Sequence, residues 1–483
     1  MRWPAFPAIV LLLAACGGDP AGKDTSESDT ATATPTGSTA TTPTDGDGTP
    51  LMYRFIDPDS GDDTVSYDGQ VFRQLLIDDM ADYIEGLTAD LDSGRFPAPG
   101  DVSSDLLFYL EFDSAVGGVV NHRFSSDPPP LQLTYDDVSS DKNLFGKLAG
   151  NDPVGQHADW STAFVGWPEP GIATPESLVR AWVAELDARA VDWSNGVIAK
   201  DLTGAPVPAV YITEDGRDLK QLLAKFTRGA VAFSQGTDDY LDDDEPGKGL
   251  LSDHTAPEEG EPYTALEHAW DEGFGYFGAA RDYPAWTDAD IAEVGVADSD
   301  GDGAIDLHSE VCWGHSVNAA KRDLGAVAAT DYTADAWRAF ARGRLLIAQS
   351  DGPLEAAAQA ELAAYRDDAV LAWERAIAAT VVHYINDVLQ DMGALGTPEH
   401  SFGDHAQHWS ELKGFALALQ FNPRSPLTDA DFAALHGHLG TAPVFADTAS
   451  DHADQLRAAR SLIGTTYGFN AANLGDSEGR DGW

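Results

Sequence analysis

Residues 354–392 read LEAAAQAELAAYRDDAVLAWERAIAATVVHYINDVLQDM, the longest stretch of this chain with neither glycine nor proline. Those two residues are the least compatible with the interior of an α-helix. Apolar residues recur in this stretch at spacings of three and four, which is the period of one helix face. The pattern therefore predicts one long helix from Leu354 to Met392.

The rest of the ordered sequence also follows helical periodicity. Thr174 and Pro175 are typical of an N-cap and a first helical residue. The stretch 117–133 could hold short strands, but its run of prolines favours a loop. We therefore predict an all-α protein, with further helices at Val71–Gly86, Ser177–Val191, Arg217–Tyr240, Thr264–Phe277, Ser316–Ala328, Ala334–Gln349, Asp404–Gln420, Asp429–His438 and Ser450–Gly464.

The N-terminal region predicts an exported, lipid-anchored protein. Arg2 precedes an apolar run that ends in Leu-Ala-Ala-Cys at Cys16, which is typical of a lipoprotein signal peptide over residues 1–15 with lipidation of Cys16. Residues 16–50 contain mainly Thr, Ser, Asp, Gly and Pro, and we predict a disordered tether. Residues 51–483 then form the folded domain. The expected location is the cell envelope, with the outer membrane favoured and its periplasmic or surface face left open.

The chain is strongly acidic, with 80 Asp and Glu against 29 Lys and Arg and a formal charge of −51. Such a surface repels nucleic acid and attracts cations, so we expect no nucleic-acid partner. Adaptation to salty surroundings is an equally simple explanation of the charge. Only Cys312 remains once Cys16 is lipidated, which excludes an internal disulfide and a cysteine-rich zinc site.

The segment 265–278, ALEHAWDEGFGYFG, concentrates metal-ligand side chains. On a helix, His268 and Glu272 share a face with Asp271, so one nitrogen and two carboxylates can approach one cation. Glu267 lies beside them. Buried acids in such numbers are costly unless a cation neutralises them. We predict Glu267, His268, Asp271 and Glu272 as metal ligands.

Two more helices carry a histidine together with an acid. His383 precedes Asp387 by one turn, and His408 precedes Glu411 by three residues. Each pair alone also fits an ordinary core or surface histidine. Three such helices in one bundle predict a metal held between helices, with His383, His408 and Glu411 added to the ligand set.

Residues 298–310, DSDGDGAIDLHSE, resemble a calcium-binding loop. Alternate carboxylates can surround a hard cation, glycine allows the sharp turn, and an apolar residue at position 8 packs inward. Ser309 stands at position 12, where a glutamate is usual, and Glu310 follows it. A plain Asp-Gly turn is the alternative. The predicted calcium ligands are Asp298, Asp300, Asp302, Ala304, Asp306 and Glu310.

Four segments carry a resemblance to a known family: LEHAWDEGFGYFG at 266–278, SVNAAKRDLG at 316–325, AATVVHYINDVLQDM at 378–392 and HWSELKGF at 408–415. They resemble an uncharacterised family of bacterial surface lipoproteins, a domain of unknown function with the motif E-H-x-W-D-E-x-F-G-Y-F-G. That family is similar, more distantly, to imelysin proteins.

The imelysin resemblance implies a pair of helical bundles associated with iron and other metals, and in some members with peptidase activity. Imelysin-like proteins carry Gly-x-His-x-x-Glu. Here Leu266 replaces the glycine and Asp271 the glutamate, with Glu272 adjacent. These departures weaken any direct transfer of function.

Together these features predict a metal-binding lipoprotein of the cell envelope that serves the uptake of iron or another transition metal. Its partners would be the membrane, through the lipid anchor, and other metal-uptake proteins of the envelope. One alternative is a metal-dependent hydrolase or peptidase, for which no catalytic residue is assigned. The other is a calcium-stabilised surface scaffold or binding protein without a transition metal.

Overall fold

A computed structural model describes residues 43–140, 142–152, 156–445 and 449–483. Over these residues the protein is all-α, as predicted, with isolated β-bridges and no β-strand. These described residues form one compact unit. The helices are α1 (Asp68–Asp92), α2 (Asp101–Leu110), α3 (Ser114–Gly117), α4 (Tyr135–Val138), α5 (Trp160–Ala163), α6 (Pro175–Ser194), α7 (Leu219–Arg228), α8 (Ala265–Phe277), α9 (Asp288–Glu293), α10 (Gly314–Leu324), α11 (Tyr332–Ala348), α12 (Ala356–Ala394), α13 (Phe402–Ala418), α14 (Asp429–Leu439), α15 (Ala449–Thr466) and α16 (Ala471–Leu474).

Helix α12 is the centre of the fold. It spans 39 residues and packs against α10, α11, α13 and α15. Trp373 and Ile377 lie on its buried face. Because helices surround it on several sides, its apolar residues cover more than one stripe of its surface.

The predicted helix starts are confirmed by their caps. The Thr174 hydroxyl accepts a hydrogen bond from the Ser177 amide at the start of α6, with Pro175 as the first helical residue. The Thr264 hydroxyl accepts one from the Glu267 amide at the start of α8, and the Glu267 carboxylate accepts one from the Thr264 amide. Both pairs satisfy amides that a helix start leaves without an internal partner.

The predicted helix 217–240 changes its geometry part-way. It begins as α7 and continues through two π-helical turns, Gly229–Phe233 and Gly236–Tyr240. At Gly229 a side chain would overlap Ala418 of α13. The close contact between the two helix backbones therefore requires glycine at this point.

The folded part of the chain begins before residue 51. The backbone carbonyl of Pro50 accepts a hydrogen bond from the Trp337 indole, 2.9 Å away, and the Thr49 hydroxyl accepts one from Arg342, also at 2.9 Å. Residues 43–50 thus pack on α11, and the tether predicted for 16–50 is too long at its C-terminal end. The composition favoured disorder, whereas contacts with a distant helix order these residues.

The stretch 117–133 forms loops with isolated bridges, as its prolines indicated. Helix α2 was not predicted, since it is short and follows Gly100, which has a φ of 95°. None of the helices in the described ranges is both long enough and apolar enough to cross a bilayer. The predicted signal peptide, Cys16 and the tether up to residue 42 lie outside the described residues.

Candidate metal sites

The acidic cluster of α8 surrounds an arginine. The fully buried Arg344 of α11 donates from Nη1 to Glu267 Oε1 at 2.8 Å and from Nε to Asp271 Oδ1 at 2.9 Å. The Tyr53 hydroxyl donates to the same Asp271 oxygen at 2.9 Å. A guanidinium is therefore the cation that these two carboxylates bind.

Burial raises the pKa of Asp271 to about 6, and the positive charge of Arg344 limits that rise. The ion pair also explains why acidic residues can lie in the core beside α8. Glu267 has a further partner, since its second oxygen accepts a hydrogen bond from the Thr264 amide at 2.9 Å. Glu267 and Asp271 therefore do not converge on a metal position with the other two predicted ligands.

His268 and Glu272 lie at the edge of this cluster. His268 Nδ1 is 3.1 Å from the Ser66 carbonyl, so Nδ1 donates this hydrogen bond, and in the neutral ring Nε2 carries the free lone pair. That Nε2 is 3.8 Å from Glu272 Oε1, which also accepts a hydrogen bond from Gln70 at 2.7 Å. The His268 ring stacks on Tyr263 at 4.6 Å. At this edge, one imidazole nitrogen and one carboxylate therefore remain as neighbouring potential metal ligands.

The second predicted group occupies the contact between α12 and α13. His383 Nε2 is 3.3 Å from Asp387 Oδ2, and His408 Nδ1 is 2.8 Å from Asp391 Oδ2. We name these four residues the histidine–aspartate cluster. Each of the two imidazoles keeps 29% of its side-chain surface exposed. The cluster is therefore mostly buried but still reachable by solvent.

The charges of this cluster are strongly perturbed by burial. It lowers the pKa of His383 to about 3 and raises the pKa of Asp387 to about 6. Burial also opposes the charged form of His408, but the hydrogen bond and charge of Asp391 raise the pKa of His408 overall. A neutral imidazole with a free lone pair is the form of histidine that binds metals.

Glu411, the third residue predicted in this region, points to other partners. Its Oε1 lies 3.4 Å from Lys225 Nζ of α7, and its Oε2 is 3.4 Å from the Gln407 amide nitrogen. Asp391 takes the place beside His408 that we predicted for Glu411. Asp391 lies two turns after His383 on the same helix, so helical spacing alone could have identified it.

The predicted calcium loop joins α9 to α10, and its first three acids converge. Asp298, Asp300 and Asp302 each place a carboxylate oxygen within 4.8 Å of the other two. In the described ranges they form the one group of three or more potential ligand residues that close together. Asp298 also accepts hydrogen bonds from the backbone amides of Gly301, at 2.8 Å, and Gly303, at 3.1 Å, so the loop wraps around its carboxylate.

Two of the other predicted calcium ligands, Asp306 and Glu310, are used within the protein. Glu310 is buried and accepts amide hydrogen bonds from Ser299 at 2.7 Å and from Asp306 at 2.8 Å. Asp306 accepts from Gln132 at 2.8 Å. The Ala304 amide donates to Asp302 at 2.8 Å. Glu310 and Asp306 thus shape the loop instead of joining the three converging acids.

The loop is fixed to a distant segment of the chain. The Ile305 amide donates to the Pro129 carbonyl at 2.9 Å, and the Leu131 amide donates to the Ile305 carbonyl at 2.8 Å. Ile305 itself is buried, as its position in the loop predicted. These two hydrogen bonds hold the loop against residues 129–132.

The family model for a domain of unknown function, DUF4856, matches residues 176–469, more than half of the chain. The chain belongs to the DUF4856 family. No curated protein and no solved structure gives a significant match to it. The expected uncharacterised family is confirmed.

All three groups of predicted metal ligands lie inside the DUF4856 region, but some of their partners do not. Tyr53, Ser66 and Gln70, which hold the α8 cluster, precede residue 176. Sequence reasoning missed Arg344 as the counter-ion of Glu267 and Asp271, because Arg344 lies 73 residues from Asp271 along the chain. Periodicity within one helix does not report which distant helix faces it.

Proposed function

We propose that this DUF4856 protein is a calcium-stabilised binding protein of the cell envelope. One observation carries the proposal: the carboxylates of Asp298, Asp300 and Asp302 come within 4.8 Å of one another. Three negative charges at that separation repel each other unless a cation lies between them.

The donor set favours calcium over other cations. Carboxylate oxygens on alternate residues, with a glycine after the third, are the ligands and the turn that calcium loops use. The role we propose is structural. Calcium would fix the connection between α9 and α10 and, through Ile305, its contact with residues 129–132.

Thermal unfolding of the purified full chain tests this proposal. Calcium bound only by the folded state raises its stability by about 1.4 to 2.7 kcal/mol at ten to a hundred times the Kd. Addition of calcium should raise the Tm, chelation should reverse the rise, and Asp300→Ala with Asp302→Ala should abolish the response.

The matched control is Glu258→Ala with Glu259→Ala, which removes the same charge from two exposed residues outside the loop. This variant should keep the full calcium response. A response that persists without Asp300 and Asp302, or a Tm indifferent to calcium, would contradict the proposal.

A second candidate function is the binding of a transition metal for uptake. Its support is the histidine–aspartate cluster, where two imidazole–carboxylate pairs from adjacent helices lie partly open to solvent. The ligand atoms of these two pairs do not converge as closely as the three acids of the calcium loop. Imidazole with carboxylate suits zinc, iron, manganese and copper. A metal there could equally activate water, which is the hydrolase alternative.

Metal analysis after dialysis against zinc or iron(II) separates the two histidine groups. His383→Ala with His408→Ala should reduce retained metal at least tenfold if the histidine–aspartate cluster is the site. His268→Ala serves as the matched control, because it removes an equally accessible imidazole from the α8 cluster. Retention of as much metal by the His383→Ala, His408→Ala variant as by the wild type would contradict this second function.

Attachment to the membrane through Cys16 is part of the same proposal. The support is the Leu-Ala-Ala-Cys sequence after an apolar run. Partnership with other envelope proteins of metal uptake and an imelysin-like pair of bundles follow from the resemblance alone. Cys16→Ser should prevent processing and membrane retention, and normal retention of this variant would exclude the anchor.

A further inference from the structure

A cleft of about 500 Å³ opens where the start of α11, the middle of α12 and the chain after α15 meet. Its walls include the aromatic residues Tyr332, Phe469 and Trp483 and the charged residues Asp331, Asp335 and Arg375. We name it the Arg375 cleft. It lies apart from the calcium loop and shares none of the predicted metal ligands.

Arg375 has few partners inside the protein. Its Nε is buried without a hydrogen-bond partner. Across the described ranges it forms no ion pair, in contrast to Arg342 of α11, which binds Asp47 at 2.7 Å. Arg375 is the one basic residue that lines this cleft. A half-buried guanidinium of this kind favours a carboxylate or phosphate ligand.

The acidic residues give the cleft a second, opposite charge. Burial and the charge of Asp331 raise the pKa of Asp335, while Arg338 and Arg375 act on it in the opposite direction. Arg338, on the same helix, also pairs with Asp335, with its Nη1 3.4 Å from Asp335 Oδ1. The three charges are therefore close enough to influence one another. A ligand with a single negative charge would satisfy Arg375 but would be repelled by both aspartates.

The aromatic wall gives the cleft an apolar surface. Phe469 and Trp483 meet edge to face, with ring centroids 4.8 Å apart, and Tyr332 lies 6.3 Å from Trp483. Aromatic rings favour further edge or offset contacts with a ring. The volume falls within the range of small-molecule sites.

We propose that the Arg375 cleft binds a free α-amino acid with an aromatic side chain. The ligand carboxylate would bind Arg375, its ammonium group would face Asp331 and Asp335, and its ring would contact the aromatic wall. Among small ligands, an amino acid carries both charges on one carbon atom, and this pairing matches the opposed charges of the cleft.

Isothermal titration of the full chain with L-phenylalanine tests the proposal. Three analogues each remove one feature: phenylalaninamide lacks the carboxylate, 3-phenylpropionate lacks the ammonium group, and L-alanine lacks the ring. We expect saturable binding of L-phenylalanine and at least tenfold weaker binding of each analogue. No binding of L-phenylalanine at concentrations up to about 10 mM would overturn the proposal.

Two variants assign the charges to residues. Arg375→Gln should weaken L-phenylalanine binding at least tenfold, whereas Arg180→Gln, which removes an exposed arginine paired with Glu111 and Glu176, should leave binding unchanged. Asp335→Asn should weaken binding of L-phenylalanine but not of 3-phenylpropionate. If Arg375→Gln fails to fold, the Asp335→Asn comparison and the analogue series still decide, and unchanged selectivity would overturn the proposal.

Discussion

Individual buried charges account for much of the chemistry that sequence patterns suggested as metal binding. The α8 acids satisfy the expectation that a cation sits among them, but Arg344 supplies the charge. The sequence alone does not show that α11 packs beside α8, so the same acids look like metal ligands. Whether a buried carboxylate binds a metal or an arginine depends on the tertiary fold.

Replacement Arg344→Met should strongly destabilise the protein. It leaves Glu267 and Asp271 buried without their counter-ion, a change that costs about 3–5 kcal/mol of unfolding free energy. Adding Glu267→Gln and Asp271→Asn should recover part of the loss, because neutral groups are cheaper to bury. Chemical denaturation measures the unfolding free energy of both variants. An Arg344→Met variant as stable as the wild type would contradict this role of Arg344.

Lys413 is a buried lysine that sequence analysis did not single out. It lies in α13, fully buried, with its Nζ 2.9 Å from His436 Nδ1. Burial lowers the pKa of Lys413 to about 7. In the unfolded chain a lysine has an ordinary pKa of about 10.4. Between these two pKa values, the unfolded chain keeps the proton that the folded protein has lost.

The unfolding free energy should therefore rise with pH between about 7 and 10, because the unfolded state binds more protons there. Lys413→Met removes this titrating group, so the unfolding free energy of the variant should depend less on pH. Lys200→Met, at an exposed position, should leave the slope as it is. Urea unfolding at pH 7.5 and 9.5 gives the slopes, and an identical slope in Lys413→Met would show that the lysine is charged when buried.

At the scale of elements, local patterns predicted the helices well. The Thr174 and Thr264 caps and the glycine-free stretch of α12 fix their helices through interactions within a few residues. Asp298, Asp300 and Asp302 converge for the same local reason. The partners of each helix were not predictable, because a contact such as Tyr53 with Asp271 depends on the packing of segments 218 residues apart.

The contact between α8 and α11 provides a test of such packing. Gly343 of α11 lies against the fully buried Trp270 ring, where an added methyl group would overlap the indole. The indole is held in place by its hydrogen bond to the Phe340 carbonyl at 2.9 Å. Gly343→Ala should therefore lower the unfolding free energy by about 1–3 kcal/mol.

Gly393→Ala is the matched control for this substitution. Gly393 lies near the end of α12 with open space around the position of a side chain. Alanine is the better helix former, so this variant should be unchanged or more stable by up to about 1 kcal/mol. Equal effects of the two substitutions would mean that the α8–α11 contact is looser than the structure shows.

At the scale of the whole molecule, the surplus of acidic groups dominates. The 29 lysines and arginines can neutralise at most 29 of the 80 acidic residues, so at least 51 carboxylates have no basic residue to pair with. Repulsion among like charges destabilises a compact state. Salt weakens both this repulsion and the surface ion pairs, but the unpaired acids outnumber the possible pairs.

We therefore expect salt to stabilise the calcium-free protein. The screening length falls from about 30 Å at 0.01 M to about 10 Å at 0.1 M ionic strength, so repulsion between distant carboxylates weakens over this range. The Tm should rise between these two concentrations, and by the same amount in sodium chloride and choline chloride, because screening does not depend on the identity of the cation. Calcium should add a further rise that saturates and is lost in the Asp300→Ala, Asp302→Ala variant.

A Tm that falls with salt would show that surface ion pairs outweigh the repulsion, and a rise specific to sodium would indicate a monovalent site instead of screening.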